Sequence, residues 1–444
     1  MGACALEVNC VSVTKPLIFL SAGEASGDHY GAQVMRALVQ ALPGASFIGL
    51  GGVEMAVAGQ QRVVRAEDVA HMGITEVVLH APYIYRQYRR LVRAIEEQKP
   101  AAAVLIDFPD VNFRLARELK RRGVPVVWFV SPQLWAWKRK RLRWVQQRVQ
   151  KMLVIFPFEQ AFYRARGVEA DFVGHPLAEL PLPTISREAY AAHNNLDRAK
   201  PWIALLPGSR WREIEANLPT MVEMACRYPR DCEYILPVAS TIDRPRLADF
   251  VSGWITHFPG TDPRLAQPYI HLVADAREAL FHARASVVAS GTATVQAALI
   301  GNPFVVVYRV SALTFKLARQ FIWYPAEIPA EVDRDGNLPI AMVNLIAGRR
   351  IVPEMLQDRF SPRNLSETLL PLLLDTPKRR QMMTDLAEVR EKLSTGHTSS
   401  IARVRDAVLM ALGMESIATL RAEHAASGEP DDQTHPKDPE LRLN

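Results

Sequence analysis

Carboxylates, a histidine and glycine-bearing loops recur where apolar runs of this chain end, and each is a candidate for chemistry. Ile106-Asp107-Phe108-Pro109-Asp110-Val111-Asn112-Phe113 closes one run with two carboxylates around a proline. Asp107 stands where the run stops, which is where a general acid or base on a parallel sheet belongs, while Asp110 reads as a helix cap. Gly23-Glu24-Ala25-Ser26-Gly27-Asp28 follows the apolar residues 17–20, and its glycines permit torsions and close approaches that a Cβ would obstruct. It is not G-x-G-x-x-G, and its acidic side chains would repel a pyrophosphate; Asp28 serves equally well near a helix start. Val173-Gly174-His175-Pro176 places an imidazole in a loop, a structural residue unless an acidic loop faces it.

A second group of loops suits anions. Leu205-Leu206-Pro207-Gly208-Ser209-Arg210 precedes a helical pattern carrying Glu213 and offers loop amides plus a guanidinium that can fork onto phosphate oxygens. Ser290-Gly291-Thr292-Ala293-Thr294-Val295-Gln296 opens another helix with small residues, whose N–H groups and dipole attract negative charge. Two such loops in one half of the chain fit a diphosphate. Val130-Ser131-Pro132-Gln133-Leu134-Trp135-Ala136-Trp137 runs into Lys138-Arg139-Lys140-Arg141, which suits a phosphorylated, partly apolar ligand or a membrane surface. Nucleic-acid stacking or a solvated helix face would use the same residues. Asp333-Arg334-Asp335-Gly336-Asn337 has Leu338 and Asn344 where an EF-hand needs glycine and glutamate, so it reads as a polar turn.

The elements that must position these residues follow an alternating pattern. Apolar runs at 17–20, 46–50, 102–106, 125–130 and 152–155 alternate with helical patterns at 30–42, 84–98, 111–122 and 158–166. After a proline-broken stretch and a polar helical patch at 187–200, runs at 202–206, 232–237, 269–273, 285–289 and 303–308 repeat the scheme. The fold class expected is α/β, with two Rossmann-like, doubly wound parallel sheets followed by helices. The expected organisation is a flexible start at 1–14, a first domain at 15–183, a linker at 184–200, a second domain at 201–360, terminal helices at 361–422 and a disordered tail at 423–444.

Composition narrows the function classes. The 444 residues are 49% hydrophobic and 23% charged, as in a water-exposed globular protein, with a net charge of +6 that suits anionic partners. Cys4, Cys10, Cys226 and Cys232 have no metal-binding spacing and read as reduced thiols. No stretch supplies the ~18 uninterrupted apolar residues of a membrane span, so membrane contact must be peripheral.

The stretches together closely resemble the lipid-A-disaccharide synthase family, bacterial glycosyltransferases of the two-Rossmann-domain GT-B type, over most of residues 16–410. The resemblance rests on GEASGD at 23–28, MG at 72–73 with Glu76-Val77, IDFPDVNF at 106–113, VSPQLWAWKRKR at 130–141 and FPFE at 156–159. It continues with VGHPL at 173–177, LLPGSR at 205–210 with Glu213, ASGTAT at 289–294 and NLIAG at 344–348. It implies transfer of 2,3-diacylglucosamine from UDP-2,3-diacylglucosamine to 2,3-diacylglucosamine 1-phosphate, giving a β-1,6-linked disaccharide 1-phosphate and UDP. The enzyme would be inverting, need neither metal nor cofactor, bind no nucleic acid, and work in the cytoplasm against the inner-membrane surface; a homo-oligomer stays open. Gly23, Glu24, Ser26, Asp28, Asp110, Asn112, Ser131 and Trp135 would meet the acceptor sugar. Gly208, Ser209, Arg210, Glu213, Ser290, Gly291, Thr292, Thr294 and Gln296 would hold UDP in an interdomain cleft, mostly on the second domain. Two positions depart from the family: Gln296 replaces the usual glutamate and Val343 the usual proline. A sugar hydroxyl is a poor nucleophile at neutral pH, so the acceptor side needs a base: Asp107, with His175 in reserve. The membrane contact expected lies at 72–93, where Met72, Ile74, Val77, Val78, Leu79, Tyr83, Ile84 and Tyr85 accompany Arg86, Arg89, Arg90 and Arg93.

Overall fold

Two parallel sheets carry the molecule. The structure, a computed structural model, describes residues 15–70, 81–228, 231–258, 270–328, 330–396 and 398–414. The first sheet is ordered β3-β2-β1-β4-β5-β6-β7, from β1 (Leu17–Ala22), β2 (Ser46–Gly51), β3 (Gln60–Arg65), β4 (Ala102–Ile106), β5 (Val126–Phe129), β6 (Lys151–Val154) and β7 (Ala170–Phe172). The second is ordered β10-β9-β8-β11-β12-β13, from β8 (Trp202–Leu206), β9 (Glu233–Pro237), β10 (Ile270–Val273), β11 (Ala285–Ala289), β12 (Phe304–Tyr308) and β13 (Glu354–Leu356). Every residue of β4, β8 and β11 is buried, because helices cover both faces of a parallel sheet and leave no solvent side for polar alternation.

All the apolar runs read from the sequence are strands. Three strands without such a run, β3, β7 and β13, each lie at a sheet edge. An edge needs less apolar surface, so a polar six-residue strand or a three-residue strand suffices there and shows no run to find.

The order reverses between β1 and β4 and again between β8 and β11. In an open α/β sheet the crevice at such a reversal is where ligands bind. The registers bring the candidate loops together: Ala22 pairs with Ile106, so Gly23 and Asp107 leave adjacent strand ends. Leu206 likewise pairs with Val288, which sets the loops at 207–213 and 290–296 side by side.

Helix starts differ from the expected pattern in an informative way. The first helix begins at Ala25, not near 30, so Ser26, Gly27 and Asp28 are already helical and only Gly23 and Glu24 form the loop. The helix after β4 begins at Pro109, whose fixed φ and missing N–H suit the first helical position. Beyond residue 361 three helices follow, Pro362–Leu373, Pro377–Leu393 and Ser400–Ala411. By proximity the chain forms two compact units, one gathering the described residues within Met1–Phe129, Arg148–Lys151 and Ile401–Asn444, the other Val130–Gln147 and Met152–Ser400. The expected flexible start, the tail from 423, and residues 72, 74 and 77–79 of the membrane stretch lie outside the described residues.

Candidate active site

In the first unit the loops after β1 and β4 close on each other through an aromatic ring. A Cβ on Gly23 would lie 2.4 Å from the Phe108 ring, so only glycine lets the ring cover this loop. Glu24 is exposed at the N-cap of the first helix, and Ser26 is exposed in its first turn. Asp28 is differently employed: it is only 7% exposed, and its carboxylate accepts from the amides of Gly52 at 2.8 Å, Glu54 at 2.9 Å and Met55 at 3.1 Å. Those amides open the helix Val53–Val57, so Asp28 caps the helix that follows the adjacent strand.

Asp107 and Phe108 both adopt left-handed backbone, with φ of 42° and 46°. Such torsions in side-chain-bearing residues cluster at functional sites. Burial and, after it, the nearby charge of Glu24 push the Asp107 carboxyl from 3.8 to about 6, against a hydrogen bond from the Phe108 amide that pulls it down. A carboxylate with that affinity for a proton is matched to general-base work near neutral pH. Asp110 is exposed at the second helical position, while Phe108 holds the N-cap, which corrects its reading as the cap. Asn112 is fully buried beneath the loop and bonds Ser21 and the Asp107 carbonyl.

In the second unit Ser131 and Trp135 converge on the last residue of the FPFE stretch, for which the residues alone suggested no role. The Glu159 carboxylate, 1% exposed, accepts from Ser131 Oγ at 2.7 Å, Trp135 Nε1 at 3.1 Å and the Phe156 amide at 3.2 Å. Burial lifts it to about 7, with those donors holding it from rising further. It fastens the Ser131–Trp135 loop to the helix Pro157–Arg164. His175 is 3% exposed, burial lowers it to about 4, and its Nδ1 accepts from the Leu177 amide at 3.2 Å. A neutral imidazole accepting at Nδ1 carries its proton on Nε2, so it is a donor without a lone pair to offer as base.

The loops after β8 and β11 have unequal anion-binding capacity. Glu213 Oε2 accepts from the amides of Ser209 at 2.9 Å and Arg210 at 3.3 Å, and Arg210 Nη1 lies 3.4 Å from Glu213 Oε1. The amides expected to serve a phosphate thus already serve a carboxylate, and the exposed guanidinium is the group this loop presents. Gly208, at φ 135°, has no room for a Cβ, which would lie 2.4 Å from Glu213. The β11 loop is more open. Gly291 at φ 151° precedes the helix Thr292–Ile300; the Thr294 amide bonds back to the Gly291 carbonyl at 3.1 Å, while those of Thr292 and Ala293 lie at the helix start, where no earlier turn offers an acceptor. Thr294 is buried and its hydroxyl bonds the same carbonyl at 2.7 Å, fixing that helix start, and Gln296 is half-buried one turn on. Ser290 Oγ reaches the Ile340 carbonyl at 3.4 Å, which ties this loop to the start of the helix Met342–Ala347.

Asp333 Oδ1 accepts from the amides of Asp335 at 2.9 Å and Asn337 at 2.8 Å, the polar turn expected of this D-x-D. Among the described residues no cluster of His, Cys, Asp and Glu could hold a metal ion. Val343 is buried within the helix Met342–Ala347, next to an Asn344 whose side chain bonds Ile351, Val352 and Glu354. The proline-to-valine departure therefore sits in a network fastened by other residues.

Comparison with known proteins singles out one family. The sequence pattern of lipid-A-disaccharide synthetase matches residues 18–408. A protein of Acidobacterium capsulatum named lipid-A-disaccharide synthase is 55% identical over 396 residues, covering 88% of this chain and 94% of its own. The UDP-GlcNAc 2-epimerase of Neisseria meningitidis, solved with UDP-GlcNAc, aligns at TM-score 0.55 and 10% identity, over 89% of this chain and 99% of its own. The calicheamicin glycosyltransferase CalG4 aligns at TM-score 0.53 and 15% identity, over 90% and 98%. At these identities the two structures speak to fold alone, the two-sheet GT-B architecture.

Proposed function

Because the chain belongs to the lipid-A-disaccharide synthase family, we propose that its loops divide one glycosyl transfer between an acceptor side and a donor side. The protein is a glycosyltransferase of lipid A synthesis. Its donor is read as UDP-2,3-diacylglucosamine and its acceptor as 2,3-diacylglucosamine 1-phosphate. The observation that carries the acceptor side is Asp107, at a strand end, in left-handed backbone, with its carboxyl raised to about 6.

In this reading Asp107 takes the proton of the acceptor 6-hydroxyl as its oxygen attacks the anomeric carbon of the donor. The bond to UDP breaks as the new one forms on the opposite face, so the α-linked donor sugar becomes β-linked. UDP leaves carrying the electron pair and needs charge stabilisation more than a proton. Arg210 and the first-turn amides at Thr292 and Ala293 supply positive charge for that without a metal, as groups that grip the diphosphate more tightly while it gains charge. Gln296 offers an amide donor and acceptor to vicinal ribose hydroxyls, in place of a glutamate.

Acylated substrates favour action at a bilayer surface, read here as the cytoplasmic face of the inner membrane. No described helix is long and apolar enough to cross one. The helix Ala81–Gln98 buries Leu91, Val92 and Ile95 and exposes Tyr85, Arg86, Arg89, Arg90 and Arg93, which supports peripheral contact with anionic lipid. Exposed Trp137, with Lys138 stacked 4.1 Å over its ring, offers a further interfacial group.

The test is product formation in the presence of excess chelator, followed by NMR of the new linkage. A β-linked disaccharide 1-phosphate made at undiminished rate is expected. An α-linkage would refute inversion, and loss of activity restored by a divalent cation would refute metal independence.

A further inference from the structure

We propose that Asn112, oriented by Ser21, is the positioning residue that holds the Asp107–Phe108 turn in its left-handed form and so aims the Asp107 carboxylate. The inference rests on the reading of Asp107 as base. Two successive side-chain-bearing residues at φ 42° and 46° occupy a region that Cβ–carbonyl contacts disfavour, so something must hold them there. Asn112 is placed to do so. Its Nδ2 lies 2.7 Å from the Asp107 carbonyl, 3.2 Å from that of Ile106 and 3.4 Å from that of Ser21. Three carbonyls from two strand ends thus converge on one amide group.

The amide's orientation is itself specified. Ser21 Oγ donates to Asn112 Oδ1 at 2.6 Å, which distinguishes oxygen from nitrogen and leaves both N–H bonds for the carbonyls. Ser21 and Asn112 are both 0% exposed, so neither meets a sugar; whatever they contribute passes through the loop above them. An aspartate at 112 would turn a carboxylate toward three carbonyl oxygens, and a leucine would leave them without this donor. From the outer side the Phe108 ring lies over Gly23, so the turn is clamped on two sides. Releasing the inner clamp lets φ of Asp107 relax to the right-handed region, which swings the carboxylate away from the acceptor hydroxyl.

The test is a double-mutant cycle on the full chain, with kcat and donor KM measured for Asn112→Ala, Ser21→Ala, Asp107→Asn and the pairwise combinations. Asn112→Ala should lower kcat about 10²-fold, the typical cost of misplacing a reacting group by about an ångström, with donor KM unchanged. Ser21→Ala should lower it about fivefold, the value of one ordinary hydrogen bond. In the Asp107→Asn background neither change should cost anything further, because there is no base left to aim. A purely structural role predicts instead that the losses multiply. If Asn112→Ala does not fold, the Ser21→Ala arm closes the same cycle. Multiplied losses, or a wild-type kcat in both single variants, would overturn the positioning role while leaving Asp107 as base. Near-normal activity of Asp107→Asn would overturn the base reading, and this inference with it.

Discussion

Replacing Asp107 with asparagine should damage catalysis and stabilise the fold, and the two effects have one cause. Raising the carboxyl from 3.8 to about 6 makes its ionised form about 3 kcal/mol less favourable in the folded protein than in the unfolded chain. Above pH 6 the wild type bears that whole cost. As pH falls from 6 toward 4 the native protein takes up the proton before the unfolded chain does, so the cost fades, to roughly half at pH 5 and to nothing below the unfolded value. Asparagine has no charge to desolvate and keeps an oxygen for the Phe108 amide. The variant should therefore exceed the wild type by about 1–3 kcal/mol at pH 8 and by clearly less at pH 5 in urea unfolding. Its kcat should fall about 10²–10⁴-fold, with UDP binding nearly intact. A variant no more stable than wild type at pH 8, or one whose advantage does not shrink toward pH 5, would refute the burial argument. A retained kcat would refute the base.

Glu24→Gln removes the second cause of that shift, so the acidic limb of the wild-type kcat/KM profile, expected near pH 6, should move to lower pH; a limb that stays put would assign the shift to burial alone. Arg210→Ala should lower kcat/KM for the donor about tenfold to 100-fold, the value of a charge-assisted hydrogen bond to the leaving diphosphate, and unchanged kinetics would remove Arg210 from the donor site. Glu159→Gln sets an NH2 group against one of three donors, a loss of about 1–3 kcal/mol, but relieves the buried charge above pH 7, so its penalty should be clearly larger at pH 5 than at pH 8, with Trp135 fluorescence reporting the loosened loop. The Glu159 carboxyl lies above its unfolded value, so wild-type stability from this site is full below about pH 4.5 and lost as pH rises through about 7; urea midpoints flat over that range in wild type would contradict it.

What the sequence made legible was the placement of chemistry at strand ends. The apolar runs at 17–20 and 102–106, and those at 202–206 and 285–289, became the paired strands at the two reversals, so the loops bearing Gly23 and Asp107 leave adjacent strand ends of the first sheet and those bearing Arg210 and Gly291 adjacent strand ends of the second. Hidden were the partners that consume a polar group. Asp28 looks like a loop carboxylate until the amides of Gly52, Glu54 and Met55 arrive from another strand–helix unit, a contact 24 to 27 residues away in the chain. The Ser209 and Arg210 amides looked available because nothing in the spacing of Glu213 says which way its side chain turns. Glu159 stood in the FPFE stretch without an expected role because a glutamate in a helical pattern reads as solvated, and only tertiary packing places Ser131 and Trp135 upon it. His175 was readable as a loop imidazole, but its burial, which takes it out of use as a base, was not.

The most direct test mixes purified protein with UDP-2,3-diacylglucosamine, with and without 2,3-diacylglucosamine 1-phosphate, and follows UDP together with the lipid products by mass spectrometry. UDP and the disaccharide 1-phosphate should appear in equal amounts, only when both substrates are present. UDP released without the acceptor, or a donor sugar altered without any disaccharide formed, would contradict the assignment.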